Sequence, residues 1–318
     1  QKTAYEIMPS LVGSEMCIRH RMDEPLADAS LMPTYLLSRF TRQEVKVALG
    51  GDGGDELFAG YPTYQAMRLA TYYLRLPRWM RALTEALIER LPVSFDNLSL
   101  DFRAKKFIQG LGYPPVRRHY VWLGTFTPEE KIDLFTPQVR DALEGMDEMA
   151  LLEEMLQGKR FSSLLGKLLY LDLKLYLQEG ILAKVDRASM AHGLEVRVPF
   201  LDHQFVSLVA GMPEGLKLKG LTTKYIWKKA LRGRIPQEIL RRGKKGFGIP
   251  IAKWFAGELK ELMLEVFSEE ALRRQGIFQP PTVRRLIEEH LARRKDNRKK
   301  LWNLFIFQLW WRNFGGGW

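Results

Sequence analysis

With 318 residues, 46% of them hydrophobic and 27% charged, the chain is long enough for one large or two ordinary domains and is neither fibrous nor disordered in composition. Its 49 Lys and Arg against 37 Asp and Glu give a formal charge of +12, which favours an anionic partner without choosing among a nucleotide triphosphate, a nucleic acid and a membrane surface. The single cysteine, Cys17, excludes an internal disulfide framework and a multi-cysteine zinc site and points to a reducing compartment, the cytoplasm.

The chain starts at Gln1 rather than Met, so truncation is expected, and no apolar run follows the first six residues as a signal peptide would require. Pro9 to Arg21 has neither helical nor strand periodicity and resembles a translated sequencing adapter. Residues 1–21 are therefore expected to be a non-native or disordered leader, and 22–318 the domain proper. A helix is predicted over Leu31 to Phe40 and a strand over Glu44 to Leu49, which must turn at Gly50-Gly51-Asp52-Gly53-Gly54-Asp55-Glu56 before a helix from Glu56.

Helices are predicted next over 64–75, 77–91, 128–136, 138–157, 160–192, 203–211, 222–232, 255–267, 281–295 and 301–313, with prolines at or between their starts. Arg284 to Lys300 interleaves Glu288 and Glu289 with Arg284, Arg285, Arg293 and Arg294, a solvated helix face. Leu301 to Phe314 falls short of the roughly 20 residues of a membrane span and contains Asn, Gln and Arg, so it reads as a buried helix. The whole is a piece of α/β sheet followed by a long helical region.

Three segments carry chemistry. In the first, four glycines let the turn approach a ligand, and Asp52, Asp55 and Glu56 in the same turn suit a hard cation such as Mg²⁺ shared with a nucleotide; an acidic turn that caps a helix has the same composition. In the second, Leu182 to Asp202, Lys184, Asp186 and Arg187 stand on a helix where they can pair within the fold, before an extended Val196 to Phe200. Glu195 and Arg197 there read as scaffold. In the third, Arg241, Arg242, Lys244 and Lys245 flank glycines ahead of Phe247, which suits a loop over phosphates and equally a solvated basic loop. Histidines 20, 119, 192, 203 and 290 form no ligand cluster, and no Gly-x-Ser-x-Gly elbow is present.

Together these segments resemble the synthetase domain of the glutamine-hydrolysing asparagine synthetases, in the same order and over roughly residues 22 to 314. That family ends a strand in Ser-Gly-Glu-Gly-x-Asp-Glu; here Gly50 replaces the Ser and Asp52 the Glu. Asp23 to Tyr35 is similar to the family's segment lining the aspartate and nucleotide pocket, although alone it is a helix start capped by Asp28 or Ser30. Lys244 and Phe247 match a Lys-x-x-Phe loop whose lysine pairs with the turn carboxylate.

The resemblance implies a mostly α-helical α/β fold: part of a PP-loop ATP pyrophosphatase domain (adenine-nucleotide alpha-hydrolase-like), with a short parallel sheet and a large helical C-terminal part. It implies a ligase that converts aspartate to asparagine through β-aspartyl-AMP, using ATP, Mg²⁺ and ammonia from glutamine. Asp52 and Lys244 would be catalytic and mutually coupled, Asp55 would hold the metal, Gly51, Gly53, Gly54 and Lys245 the nucleotide, and Asp28, Ser30, Lys184 and Arg187 the substrate. Two family parts are expected upstream, a Ser-Gly-Gly-x-Asp-Ser pyrophosphate loop and an N-terminal glutaminase domain, and Cys17 does not match the latter's nucleophile. The partners implied are small molecules and that glutaminase domain, with no nucleic acid, no membrane, and a homodimer left open.

Two rival readings remain at this point. Relatives with the same chemistry amidate other carboxylates in polysaccharide or natural-product synthesis. A non-catalytic basic helical protein that binds nucleic acid or protein would also carry a +12 charge.

Overall fold

The computed structural model describes residues 24–96, 99–244 and 246–315, so the expected leader over 1–21 and the candidate Lys245 lie outside the described residues. Helices dominate, and strands β1 (Val47–Leu49) and β2 (Glu195–Arg197) form a parallel pair in the register Val47↔Glu195, Ala48↔Val196, Leu49↔Arg197. This is the expected mostly helical α/β architecture of a partial PP-loop ATP pyrophosphatase-like domain. The connection between two parallel strands must cross over, and here it consists of helices.

Leu31–Glu44 leads into β1 and buries Leu31 and Tyr35 against Ala188 of Ala183–Met190, the helix that leads into β2. The two helices thus bring their chain ends to the same edge as the strands. The predicted helix over 160–192 is broadly present as Leu164–Leu171, Asp172–Leu182 and Ala183–Met190, but its middle is wound as a π-helix. Asp172, fully buried at the start of that segment, accepts from Tyr64 Oη at 2.5 Å and from Tyr120 Oη at 3.3 Å, with His119 Nε2 at 2.8 Å.

The closing part has its own core. Ile251, Phe255, Met263, Val283, Leu301 and Phe305 pack together, and Ala27, Ala29 and Met32 from the start of the described chain lean on that cluster. Arg298–Phe314 buries Leu301, Trp302, Leu304, Phe305 and Leu309, so its apolar run belongs to the interior. Among the described residues no helix is long and apolar enough to cross a membrane.

Several boundaries differ from the sequence reading. The predicted helix 138–157 is two helices, Pro137–Ala142 and Ala150–Leu156, because Gly145 adopts φ +81° between them. Likewise 255–267 is Ile251–Ala256 and Lys260–Val266, broken at Gly257. Helices Leu100–Gly110, Pro115–Leu123, Gln237–Arg241 and Glu269–Gln275 were not predicted. The turn is followed by one helical turn, Gly54–Leu57, with the longer helix Pro62–Tyr73 only after a break.

Candidate active site at the glycine turn

The parallel pairing fixes where β1 ends. Gly50 N–H donates to the Arg197 carbonyl at 2.7 Å, the last rung before the chain bends away. A Cβ on Gly50 would lie 3.1 Å from Val196 Cγ1 and from Asp52 Oδ2, which places the Asp52 carboxylate back over the start of the turn. Gly53 takes φ +84°, and a side chain there would meet Leu201 Cδ2 at 2.5 Å. Gly54 faces Phe200. Of the three glycines expected to serve the nucleotide, Gly51 has open space around its Cα, while Gly53 and Gly54 have theirs turned inward and offer a ligand only main-chain atoms.

The turn delivers Asp55 to two lysines. Lys244 Nζ donates to Oδ2 at 2.5 Å, and Lys224 Nζ lies 2.9 Å from Oδ1. The Asp55 side chain is only 12% exposed, so burial pushes its pKa up, but the charge and close approach of Lys224 and the hydrogen bond from Lys244 outweigh this and hold it below the usual carboxylate value. Gly60 makes the arrangement possible, because a Cβ there would collide with Asp55 Oδ1 and Lys224 Cε.

Lys224 was not singled out in the sequence, where it sits inside a predicted helix. In the structure it precedes the helix Tyr225–Ala230 in left-handed conformation, φ 54° and ψ 36°, with its N–H on the Phe58 carbonyl at 3.0 Å. A non-glycine residue held this way is strained by about 1 kcal/mol, and such strain gathers at functional sites. Sequence spacing carries no signal for it.

The expected coupling of Lys244 to Asp52 is not made: Lys244 is on Asp55 instead, and Asp52, half-buried, has no ionic partner among the described residues. The shorter aspartate arm, folded toward Gly50, leaves Asp55 as the carboxylate within reach. Lys244 also sits 5.6 Å from the Tyr61 ring, and the Tyr61 hydroxyl donates to Glu56. Around Lys244 the described residues 242–244 and 246–250 are irregular, with Phe247 59% exposed.

A second cluster joins the helix at 183–190 to the start of the described chain. Lys184 Nζ donates to Asp28 Oδ2 at 2.9 Å and to Ser30 Oγ at 2.8 Å, while Asp28 Oδ1 accepts from Ser30 N and Oγ. Burial raises the Asp28 pKa, but Lys184 and Ser30 together bring it below its ordinary value. Lys184 therefore does not pair with Asp186, which is exposed; Arg187, on the same helix, is half-buried. Tyr176 stands between the two clusters: it packs edge-on to Tyr61 at 5.4 Å, and its phenol is raised by burial and then by the charges of Asp28, Glu56, Asp172 and Asp55. Glu195 and Arg197 pair with each other on the surface, as expected of scaffold.

Mg²⁺ keeps several waters and takes one or two carboxylates beside phosphates, so it does not need an all-protein cage. Among the described residues no three His, Cys, Asp or Glu gather into one. Asp55 supplies the carboxylate that such a lesser role needs, with its buried Oδ1 in ion-pair contact with Lys224 and without an aligned hydrogen bond.

A family model described as asparagine synthase matches residues 14–312. Asparagine synthetase [glutamine-hydrolyzing] 1 of Bacillus subtilis (strain 168) is 30% identical over 288 residues, covering 91% of this chain and 44% of the relative. A putative asparagine synthetase [glutamine-hydrolyzing] of Mycobacterium tuberculosis (strain ATCC 25618 / H37Rv) is 32% identical over 296 residues, covering 91% of this chain and 42% of the relative. Amidase chyE of Penicillium rubens is 26% identical over 292 residues, 83% of this chain and 41% of the relative. The chain thus spans less than half the length of these relatives.

Proposed function

The chain belongs to the asparagine synthase family, and from that premise we propose that it carries the ATP-dependent, amide-forming part of an asparagine synthetase acting on aspartate. The observation that carries this reading is the Lys224–Asp55–Lys244 cluster at the end of β1, two cations held by one nearly buried carboxylate beside an open Gly51. Such a site suits an anion with several charges, because a triphosphate can take over the lysines that Asp55 now shares.

In the proposed reaction an oxygen of the aspartate side-chain carboxylate attacks the α-phosphorus of ATP, and the bond to the β-phosphate oxygen breaks to release pyrophosphate. Ammonia then attacks the carbonyl of β-aspartyl-AMP, the carbon–oxygen bond to AMP breaks, and one proton leaves the nitrogen. Lys244 offsets the charge that grows on the phosphorus oxygens, while Lys224 keeps Asp55 in place. Asp52, which has no ionic partner among the described residues, is assigned the role of proton acceptor. Mg²⁺, held on the protein side by Asp55, would neutralise the pyrophosphate leaving group. Gly51, Gly53, Gly54 and Lys245 are assigned to the nucleotide, and Asp28, Ser30, Lys184 and Arg187 to the amino-acid substrate. The nitrogen would come from glutamine through a separate glutaminase domain, which the names of the two bacterial relatives support.

A second reading keeps the chemistry and changes the acid, and the match to a fungal amidase favours it. The test uses an enzyme in which these residues are joined to the segments the longer relatives carry. Lys244→Ala is expected to lower aspartate-dependent pyrophosphate release by at least about 100-fold with unchanged thermal unfolding. Pyrophosphate release at the wild-type rate would overturn the assignment, and competition among carboxylic acids for adenylation decides between aspartate and another substrate.

A further inference from the structure

The turn that ends β1 brings one more side chain to Lys244. After Gly54–Leu57, Ala59 adopts a left-handed φ of 53° and the Gly60 N–H donates to the Asp55 carbonyl at 2.7 Å, which folds the chain back on the turn. A non-glycine residue in that conformation is strained, and such strain persists only where the surroundings impose it. Tyr61 follows in extended conformation, as a residue before proline does, and Pro62 starts the helix Pro62–Tyr73. The Tyr61 hydroxyl donates to Oε1 of Glu56, which is 1% exposed and directly follows Asp55. Tyr176 packs edge-on to the Tyr61 ring at 5.4 Å, and Tyr64 lies against it at 6.1 Å. The ring is thus fixed at its hydroxyl, at its backbone and by two neighbouring rings.

Lys244 Nζ lies over this ring, 5.6 Å from its centroid, within the range of cation–π attraction. The lysine has little else to hold it. Its backbone stands in irregular chain, and its side chain is 39% exposed. Its ionic anchor, Asp55, is shared with Lys224 and is the carboxylate assigned to Mg²⁺, so that anchor weakens as the nucleotide arrives. A carboxylate in place of the ring would hold the ammonium but would also cancel the charge that the phosphorus oxygens require. The face of an uncharged ring attracts the ammonium, takes no metal and leaves the positive charge available.

We propose that Tyr61 is a positioning residue for Lys244: its ring, pinned by Glu56, keeps the ammonium in reach of the α-phosphate oxygens while Asp55 turns to the metal. This rests on the adenylating role proposed for Lys244. Tyr61 acts through the lysine, so its loss is read in the rate of adenylation rather than in the affinity for aspartate.

The test uses the enzyme in which these residues are joined to the segments the longer relatives carry, with aspartate-dependent pyrophosphate release as the rate. Tyr61→Leu is expected to lower kcat about tenfold and to leave KM for aspartate unchanged, whereas Tyr61→Phe, which keeps the ring, stays within about threefold of the wild type. Replacing Tyr61 by phenylalanines that carry one, two and three fluorines keeps the shape of Phe and drains electron density from the ring face, so kcat should fall with each fluorine. In a Lys244→Ala background, Tyr61→Leu should cost nothing further. Should Tyr61→Leu fail to fold, the fluorinated series, nearly isosteric with Phe, still decides. The proposal is overturned by Tyr61→Leu at the wild-type kcat or by a Tyr61→Leu loss that is the same with and without Lys244. A slow Lys244→Ala enzyme with a flat fluorinated series overturns the positioning by Tyr61 alone, whereas Lys244→Ala at the wild-type rate overturns the role of the lysine itself.

Discussion

Glu56 is 1% exposed and accepts the Tyr61 hydroxyl, next door to the ion-paired Asp55. Burial raises its pKa; the hydrogen bond from Tyr61 works against this, and the nearby charges of Asp55 and Asp172 add to the rise. A carboxyl whose pKa is higher folded than unfolded binds its proton more tightly in the native state. The contribution is therefore full below its unfolded value, 4.5, and is lost as pH rises through the raised folded value. Glu56→Gln, which keeps the shape and cannot ionise, should gain stability over the wild type progressively as pH rises above 4.5, read from unfolding midpoints across that range. A difference that does not change with pH would show that Glu56 has an ordinary pKa. At this scale the site was half legible. Asp55 and Lys244 stand out because acidic and basic residues beside glycines are poor choices for plain turns, and both lie together. Lys224 did not, because what distinguishes it is a positive φ, and the complete burial of Glu56 was hidden as well, since neither leaves a mark on the local pattern.

The long helix from Leu164 to Met190 spans the distance from the Tyr64 core to Lys184, and its π-wound middle begins at Asp172. Wider turns at a π segment shift the helix face, so the residues after it point elsewhere than a regular helix would aim them. Asp172 anchors that change through Tyr64, Tyr120 and His119, all from helices that pack beside it. Asp172→Ala would leave two hydroxyls and an imidazole without their acceptor in the interior and is expected to cost about 3 kcal/mol in urea unfolding. Tyr120→Phe, which removes the longest of the three contacts, should cost about 1 kcal/mol or less. An Asp172→Ala loss no larger than that of Tyr120→Phe would show that the network does not hold the helix. The existence of this helix was readable from its length and apolar content, but its π winding was not, because mixed apolar and polar residues fit more than one helical period. The helix Pro115–Leu123 was missed although prolines were expected at helix starts: Pro115 occupies its first position, where a missing N–H costs nothing.

Over the whole molecule the apolar packing is uneven. The cluster built on Phe255, Met263, Leu301 and Phe305 closes on itself, while β1 leaves Val47 40% and Leu49 75% exposed in a sheet of two described strands. Parallel sheets are normally covered on both faces, and three or more strands are needed for a sheet to stand alone, so this strand pair is shaped to meet further structure. The reacting groups sit at that thin edge, since the glycine turn is the end of β1. Lys224 and Lys244 supply two charges, but a triphosphate needs donors around the departing pyrophosphate too, and the 318 residues contain no Ser-Gly-Gly-x-Asp-Ser loop to provide them. Each missing donor of this kind typically costs about 100-fold or more in rate. The 318-residue chain by itself, given aspartate, ATP, Mg²⁺ and ammonium, is therefore expected to form no AMP above the uncatalysed background. AMP formation that depends on aspartate and is abolished by Lys244→Ala would mean that the lysine pair and main-chain amides of the turn suffice for phosphoryl chemistry.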